Sequence, residues 1–348
     1  MKNVILVFVS ILATAIIMDY SFGRIRTENY SAVNTRWPQP FLGFGDFKEL
    51  NSASESLESL GYRALEFGYI YDDEKVIHYL HERGNFLFSD EHVDPKKKNI
   101  FLVGASAALG DGASDHQNSI WRNLENLLYQ KTSDYQVLPA AIRAYNSTQE
   151  RIATELYLFP IKPNRLIFFH GFNDANQVES LARPGDPYNQ GLVYFENSNL
   201  LFSFLKLFSE QSNIINSVFK NYIENSISKR SSELLSRTEF YSGYVQSAAH
   251  IYMDNIGRVN RRCQQEGIPC YFILQPYRRD TAGTVIEDIY SKINQLVENQ
   301  NQLKKGINFF DYSDKYANKK SLFFDVVHLN DEGQREVAQD IYSDILQK

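Results

Sequence analysis

The sequence predicts an α/β fold built on a parallel sheet covered by helices on both faces. Three observations carry this. From residue 99 onward short apolar runs recur, each the length of a buried strand. Amphipathic helical stretches separate them, and strands alternating with helices read as βαβ units. Small and polar residues gather just after the runs, where parallel sheets collect their reactive groups.

The elements follow in order. Ile100–Val103 is the first strand. Ser119 caps a helix reaching about Gln130, with Ile120, Leu124, Leu127 and Leu128 on one face. Tyr135–Leu138 is the second strand, and Gln149–Leu158 a helix stopped by Pro160. Leu166–Phe169 is the third strand, followed by an insertion over residues 175–237. Tyr241–Glu266 is a long helix ended by Gly267 and Pro269, and Tyr271–Leu274 the fourth strand, closed by Pro276. Thr284 to about Leu303 is a helix and Ile307–Phe310 the fifth strand. Asp331–Leu346 is the closing helix, with Asn330 as N-cap. Residues 24–98 lack this rhythm: Phe67–Tyr71 reads as a strand, Val76–Arg83 as a helix, and Phe86–Phe88 follows a Gly84-Asn85 turn. Ser52–Leu60 reads as a short helix or a loop. The chain thus divides into a leader (1–23), an N-terminal collar (24–98) and a main domain (99–348) carrying the insertion.

A chain of 348 residues with 43% hydrophobic content is enough for one large domain, with or without an appendage. The net charge of −6 and the absence of a basic stripe exclude nucleic acid as the expected partner. Val4–Met18 is an unbroken run of apolar and small residues after Met1-Lys2. It is short of the roughly 20 residues of a full span and has the length of a secretory h-region. Two export readings stand: cleavage near Ser21-Phe22-Gly23, or retention as a membrane anchor with Tyr20 and Phe22 at the interface. Both put the protein outside the cytoplasm, periplasmic or extracellular; the bland alternative is a buried N-terminal helix. Cys263 and Cys270 read as one disulfide or as two buried thiols. With no CxxC and no clustered histidines, no metal is expected.

Four post-strand segments carry chemistry. Gly104-Ala105-Ser106-Ala107-Ala108 ends the first strand, and Ser106 is its reactive group, a candidate nucleophile; the bland reading is a small-residue turn. Pro139–Ser147 follows the second strand, a loop of small residues whose N–H groups suit an anion. His170-Gly171-Phe172-Asn173-Asp174 follows the third. Asp325 and His328 lie after the fifth, three apart, so that the carboxylate can fold onto the near ring nitrogen and leave the other as a base. Histidine titrates near ~6.5, where it can take a serine proton at neutral pH. Each segment alone is ordinary; Asp-x-x-His is a common helix cap and Gly-x-Asn-Asp a common turn. Four of them at strand ends of one sheet, in chain order, are not. His116 is a rival base that reads better as part of a polar helix lead-in, and His78, His81, His170 and His250 read as structural. Gly104–Gly112 has no Lys-Ser/Thr, which disfavours a phosphate loop.

Taken together, these segments over residues 99–347 resemble the four blocks of the SGNH/GDSL hydrolase superfamily, in the exported form associated with bacterial surface polysaccharides. The third block (Gly171-x-Asn173-Asp174) and the last (Asp325-x-x-His328) match fully; Ala105 replaces the usual Asp, and Ala144 the usual Gly of the second block. The resemblance implies a three-layer α/β/α sandwich with a five-stranded parallel sheet, and neither metal nor organic cofactor. It implies that Ser106 attacks an ester carbonyl, that His328 is the base and that Asp325 orients it. The Ser106 and Ala144 N–H groups and the Asn173 amide would form the oxyanion hole, with Gly104, Gly171 and Asp174 in support. The implied substrate is an acylated, above all O-acetylated, carbohydrate. An O-acyltransferase and a non-catalytic glycan-binding or assembly protein are the alternatives. Within the insertion, Leu200–Phe208 reads as a lid, a lipid or oligomer contact, or a packed helix.

Overall fold

The computed structural model describes residues 38–39, 43–44, 62–65, 68–71, 79–82, 85–88, 96–141, 144–180, 183–187, 225, 228–302 and 306–347. The chain falls into two compact units. Of the described residues, one unit holds 178–180, 183, 225 and 228–237, and there the Ser231 hydroxyl donates to the Val178 carbonyl at 3.0 Å. All that follows concerns the other.

Its core is five parallel strands: β1 (Lys98–Gly104), β2 (Tyr135–Ala141), β3 (Arg165–His170), β4 (Cys270–Leu274) and β5 (Phe309–Asp311), in the order β5-β4-β3-β1-β2. The helices are α1 (Ser106–Leu109), α2 (Ile120–Tyr129), α3 (Ser147–Ala153), α4 (Phe172–Asn176), α5 (Thr238–Glu266), α6 (Thr284–Gln302), α7 (Ser313–Tyr316) and α8 (Asp331–Ile341). Strand side chains alternate between two covered faces, as a pleat requires. Ile100, Leu102, Ile167 and Phe169 pack with Trp121 and Leu124 of α2 and Val337 and Ile341 of α8. On the opposite face Phe168 stacks on Phe272 at 4.9 Å and His170 lies 5.0 Å from Tyr252 of α5. Each fully buried side chain of this size contributes about 1.5–3 kcal/mol. The three-layer sandwich expected from the sequence is therefore present.

Element edges differ for physical reasons. β2 runs three residues past Leu138, through Pro139; it pairs only with β1, and an edge strand tolerates a missing N–H. α3 begins at Ser147 rather than Gln149, because Asn146 and Gln149 form a reciprocal capping box. It passes into a π-helical turn at Thr154–Leu158, and Pro160 lies in the following 3₁₀ turn. β5 starts at Phe309; just before it the Asn308 carbonyl accepts the Phe272 N–H at 2.8 Å and the Asn308 side chain donates to the Cys270 carbonyl at 3.1 Å. Ser119 and Asn330 cap α2 and α8 as expected, and α8 ends at Ile341 in a π turn.

Ahead of the sheet, Gly68–Tyr71 is a strand, paired antiparallel with Tyr62–Leu65. The helix expected over Val76–Arg83 is a correction: Tyr79–Glu82 is a strand paired antiparallel with Asn85–Phe88, and Asn85, expected in a turn, is the first residue of the second strand, opposite Glu82. Cys263 and Cys270 form a disulfide joining the end of α5 to β4. The apolar run 4–18, Ser52–Leu60 and Leu200–Phe208 lie outside the described residues. Among the described residues no helix is long and apolar enough to cross a membrane.

Candidate active site

Register brings the predicted segments to one end of the sheet. Gly104, the last residue of β1, pairs with Phe169 of β3 on one side and Ala141 of β2 on the other. Ser106, Asn173 and Ala144 therefore lie two, four and three residues beyond the same rung, on strands about 4.8 Å apart.

Ser106 opens the four-residue helix α1, so its N–H has no partner within that helix. Gly104 has to be glycine here. A Cβ on it would lie 2.4 Å from the Phe169 carbonyl oxygen and 2.7 Å from the Ala108 Cβ, so β1 and β3 could not close behind the serine. Trp121 Nε1 donates to the Leu109 carbonyl at 3.2 Å and ties α1 to α2.

The expected base, His328, arrives on a tight turn. Asp325 Oδ1 accepts the backbone N–H groups of Val327 and His328, each at 2.8 Å, and the Phe324 N–H donates to the His328 carbonyl at 2.8 Å. That folds the carboxylate onto its own histidine: Asp325 Oδ2 lies 2.6 Å from His328 Nδ1. With Nδ1 donating to the carboxylate, Nε2 is the acceptor, and it lies 2.8 Å from Ser106 Oγ. Burial pushes the Asp325 carboxyl up, but the bonds from the His328 ring and the two backbone N–H groups outweigh it and hold the group down to about 2. The Asp325 and His328 side chains stay 41% and 21% exposed, so the site is open to a ligand.

The two segments expected to supply oxyanion donors are tied to each other. Asn173 Nδ2 donates one hydrogen to the Tyr145 carbonyl at 2.8 Å; its second hydrogen remains for another acceptor. Ala144, next to Tyr145, takes φ +64°, the left-handed region that costs an L-residue about 1–2 kcal/mol and that glycine occupies freely. Glycine at this position would carry no such cost. Gly171 has φ +112°, and a Cβ there would lie 2.5 Å from Leu274 Cδ1.

Asp174 is buried beneath this loop. Its carboxylate accepts the Ser147 N–H at 3.0 and 3.2 Å and the Ser147 hydroxyl at 2.5 Å. Burial, and next the charge of Glu150, push its carboxyl up to about 7 against those bonds. Asp174 thus joins the β3 turn to the first residue of α3. Asn255 of α5 donates to the Ser147 and Thr148 hydroxyls, each at 2.9 Å, and extends the link.

The other described histidines fall elsewhere, and His78 lies outside the described residues. His170 is 2% exposed, with Nδ1 2.6 Å from Glu150 Oε2 inside the core. His250 is exposed on α5, and the backbone of His81 lies in the N-terminal hairpin. His116 lies in a 3₁₀ turn, His116–Asn118, and the ring bonded to Ser106 is that of His328. Among the described residues no three His, Cys, Asp or Glu side chains are placed to hold a metal ion.

Asn255, Ser147 and Gln334, all buried, were not singled out in the sequence. Their signal is a polar residue on an otherwise inward stripe: Asn255 among Tyr252, Ile256 and Val259, and Gln334 among Val337, Ala338 and Ile341.

No protein-family model and no curated protein sequence matches the chain. Solved structures similar to it include the acetyl xylan esterase AlAXEase, at 15% identity and TM-score 0.46 over 71% of this chain and 99% of that one. A lipase/acylhydrolase from Enterococcus faecalis is similar at 12% identity and TM-score 0.42, over 71% and 95%. The psychrotrophic esterase EstA from Pseudoalteromonas sp. is similar at 12% identity and TM-score 0.43, over 72% and 98%.

Proposed function

We propose that the protein is a serine ester hydrolase of the SGNH/GDSL type. The observation that carries this is the unbroken chain from Ser106 Oγ through His328 to Asp325, at 2.8 and 2.6 Å. In the first half-reaction His328 Nε2 takes the Ser106 proton as Oγ attacks the ester carbonyl. The carbonyl oxygen becomes an oxyanion, for which the Ser106 and Ala144 N–H groups and the free Asn173 hydrogen are the donors. The imidazolium, stabilised by Asp325, then gives its proton to the leaving alcohol, and an acyl-serine remains. In the second half, His328 deprotonates a water that attacks the acyl carbon. The acyl carbon–Oγ bond then breaks as His328 returns that proton to Ser106 Oγ, the acid departs, and serine and neutral histidine are restored.

The finer reading is removal of small acyl groups, above all acetyl, from a carbohydrate outside the cytoplasm. The apolar run Val4–Met18 supports export, and the Cys263–Cys270 disulfide fits an oxidising compartment. The test is hydrolysis of p-nitrophenyl esters of increasing chain length and acetate release from O-acetylated oligosaccharides, by wild type and Ser106→Ala. Short-chain and acetyl-sugar turnover that disappears in Ser106→Ala supports the reading; equal rates for the two proteins overturn the serine mechanism, and preference for long acyl chains overturns the acetyl assignment.

A further inference from the structure

We propose that Gln334, helped by Asp331, is a positioning residue that sets the spacing between the nucleophile and the base; this rests on the serine-hydrolase reading above. The sheet does not fix that spacing. Ser106 stands two residues beyond β1, but His328 sits outside the five-stranded sheet, on the segment between α7 and α8, where its strand-like pairing is the local Phe323–Leu329 bridge. The two meet across 222 residues of sequence.

The first turn of α8 closes that gap. Gln334 is fully buried, and its one amide engages three segments. Oε1 accepts the Ile120 N–H, the first of α2, at 3.0 Å. Nε2 spends its hydrogens on the Asp111 carbonyl at 3.2 Å and the Leu329 carbonyl at 3.1 Å. Asp111 donates its own N–H to the Ser106 carbonyl at 3.0 Å, and Leu329 directly follows His328. A single side-chain amino group thus spans the segments bearing the two reacting groups. Asp331 makes a second, exposed attachment. It accepts the Ser114 N–H and hydroxyl, each at 2.7 Å, and the Asn118 amide at 3.3 Å. Gly112 lies between the two attachments, and a Cβ there would be 2.9 Å from the His328 Cβ, so the nucleophile loop lies directly against the base. A misplacement of about 1 Å between reacting groups can cost about 100-fold in rate.

The experiment uses the intact chain. Gln334→Met keeps length and volume but removes all three bonds. Competent sites are counted by fluorophosphonate titration, and p-nitrophenyl acetate turnover is expressed per titrated site. A positioning role predicts that sites per chain stay near wild type, that per-site kcat and labelling rate fall by about tenfold or more, and that KM moves less than about twofold. Per-site kcat within about twofold of wild type, or a loss confined to the number of sites, overturns it. If Gln334→Met yields no folded protein, Asp331→Ala decides: a fall of about threefold or more in per-site kcat supports the clasp, and an unchanged value overturns it. A wild type that neither labels nor hydrolyses esters overturns the hydrolase reading and the clasp together. An active wild type with unaffected variants overturns the clasp alone.

Discussion

Asp325 meets His328 at two points: one carboxylate oxygen takes the histidine's backbone N–H at 2.8 Å, and the other takes its ring Nδ1 at 2.6 Å. The first bond belongs to the fold of the turn and the second to the chemistry. Asp325→Asn separates them, because an amide oxygen can still accept the backbone N–H, whereas its NH₂ cannot accept from Nδ1–H. The expected result is a folded protein whose kcat falls by about 10³–10⁴-fold, from the wrong imidazole tautomer. Steady-state kinetics on a short-chain ester checks this, and a loss under tenfold contradicts it.

Asn173→Ala removes both the proposed oxyanion donor and the anchor on the Tyr145 carbonyl. The expected loss is about 10²–10³-fold in kcat, or about 2.7–4 kcal/mol of barrier, with little change in KM. An effect seen mainly in KM places the amide in substrate binding instead.

Two perturbed carboxyls, Asp325 and Asp174, pull stability in opposite directions with pH. Asp325, held down to about 2, stabilises the fold above its ordinary value of 3.8, and that contribution is lost as pH falls from there through about 2. Asp174, raised to about 7, binds its proton more tightly when folded; its ionisation therefore removes stability as pH rises from 3.8 through about 7. Thermal melts between about pH 5 and 8 should show wild type gaining stability on acidification relative to Asp174→Asn. Parallel curves for the two proteins contradict the assignment.

Ala144→Gly relieves the left-handed backbone at φ +64° but frees the unfolded chain. The expected net effect lies between neutral and about 1 kcal/mol stabilising, with kcat retained because the N–H remains. Chemical denaturation checks it; a destabilisation beyond about 1 kcal/mol means that the methyl group packs.

Much of this was legible in the chain because it is written locally. Ile100–Val103 and Leu166–Phe169 are continuous apolar runs, a pattern that buried parallel strands share, and Ser119 and Asn330 cap helices visibly. The spacing of Asp325 and His328 already contains the turn that joins them. What stayed illegible depends on distant partners. Tyr79–Glu82 carries no strong strand signal until it pairs with Asn85–Phe88. Cys263 and Cys270 are compatible with thiols until α5 and β4 bring them together. Gln334 looks like an ordinary helix residue until Asp111 and Leu329 meet around it.

The central claim is that Ser106 is activated by His328. Intact-protein mass spectrometry after treatment with a fluorophosphonate, followed by peptide mapping, tests it most directly. The account predicts one adduct per chain, located on Ser106 and absent from Ser106→Ala, with labelling slowed strongly in His328→Ala. Equal labelling of wild type and Ser106→Ala, or an adduct mapped to another residue, would contradict it.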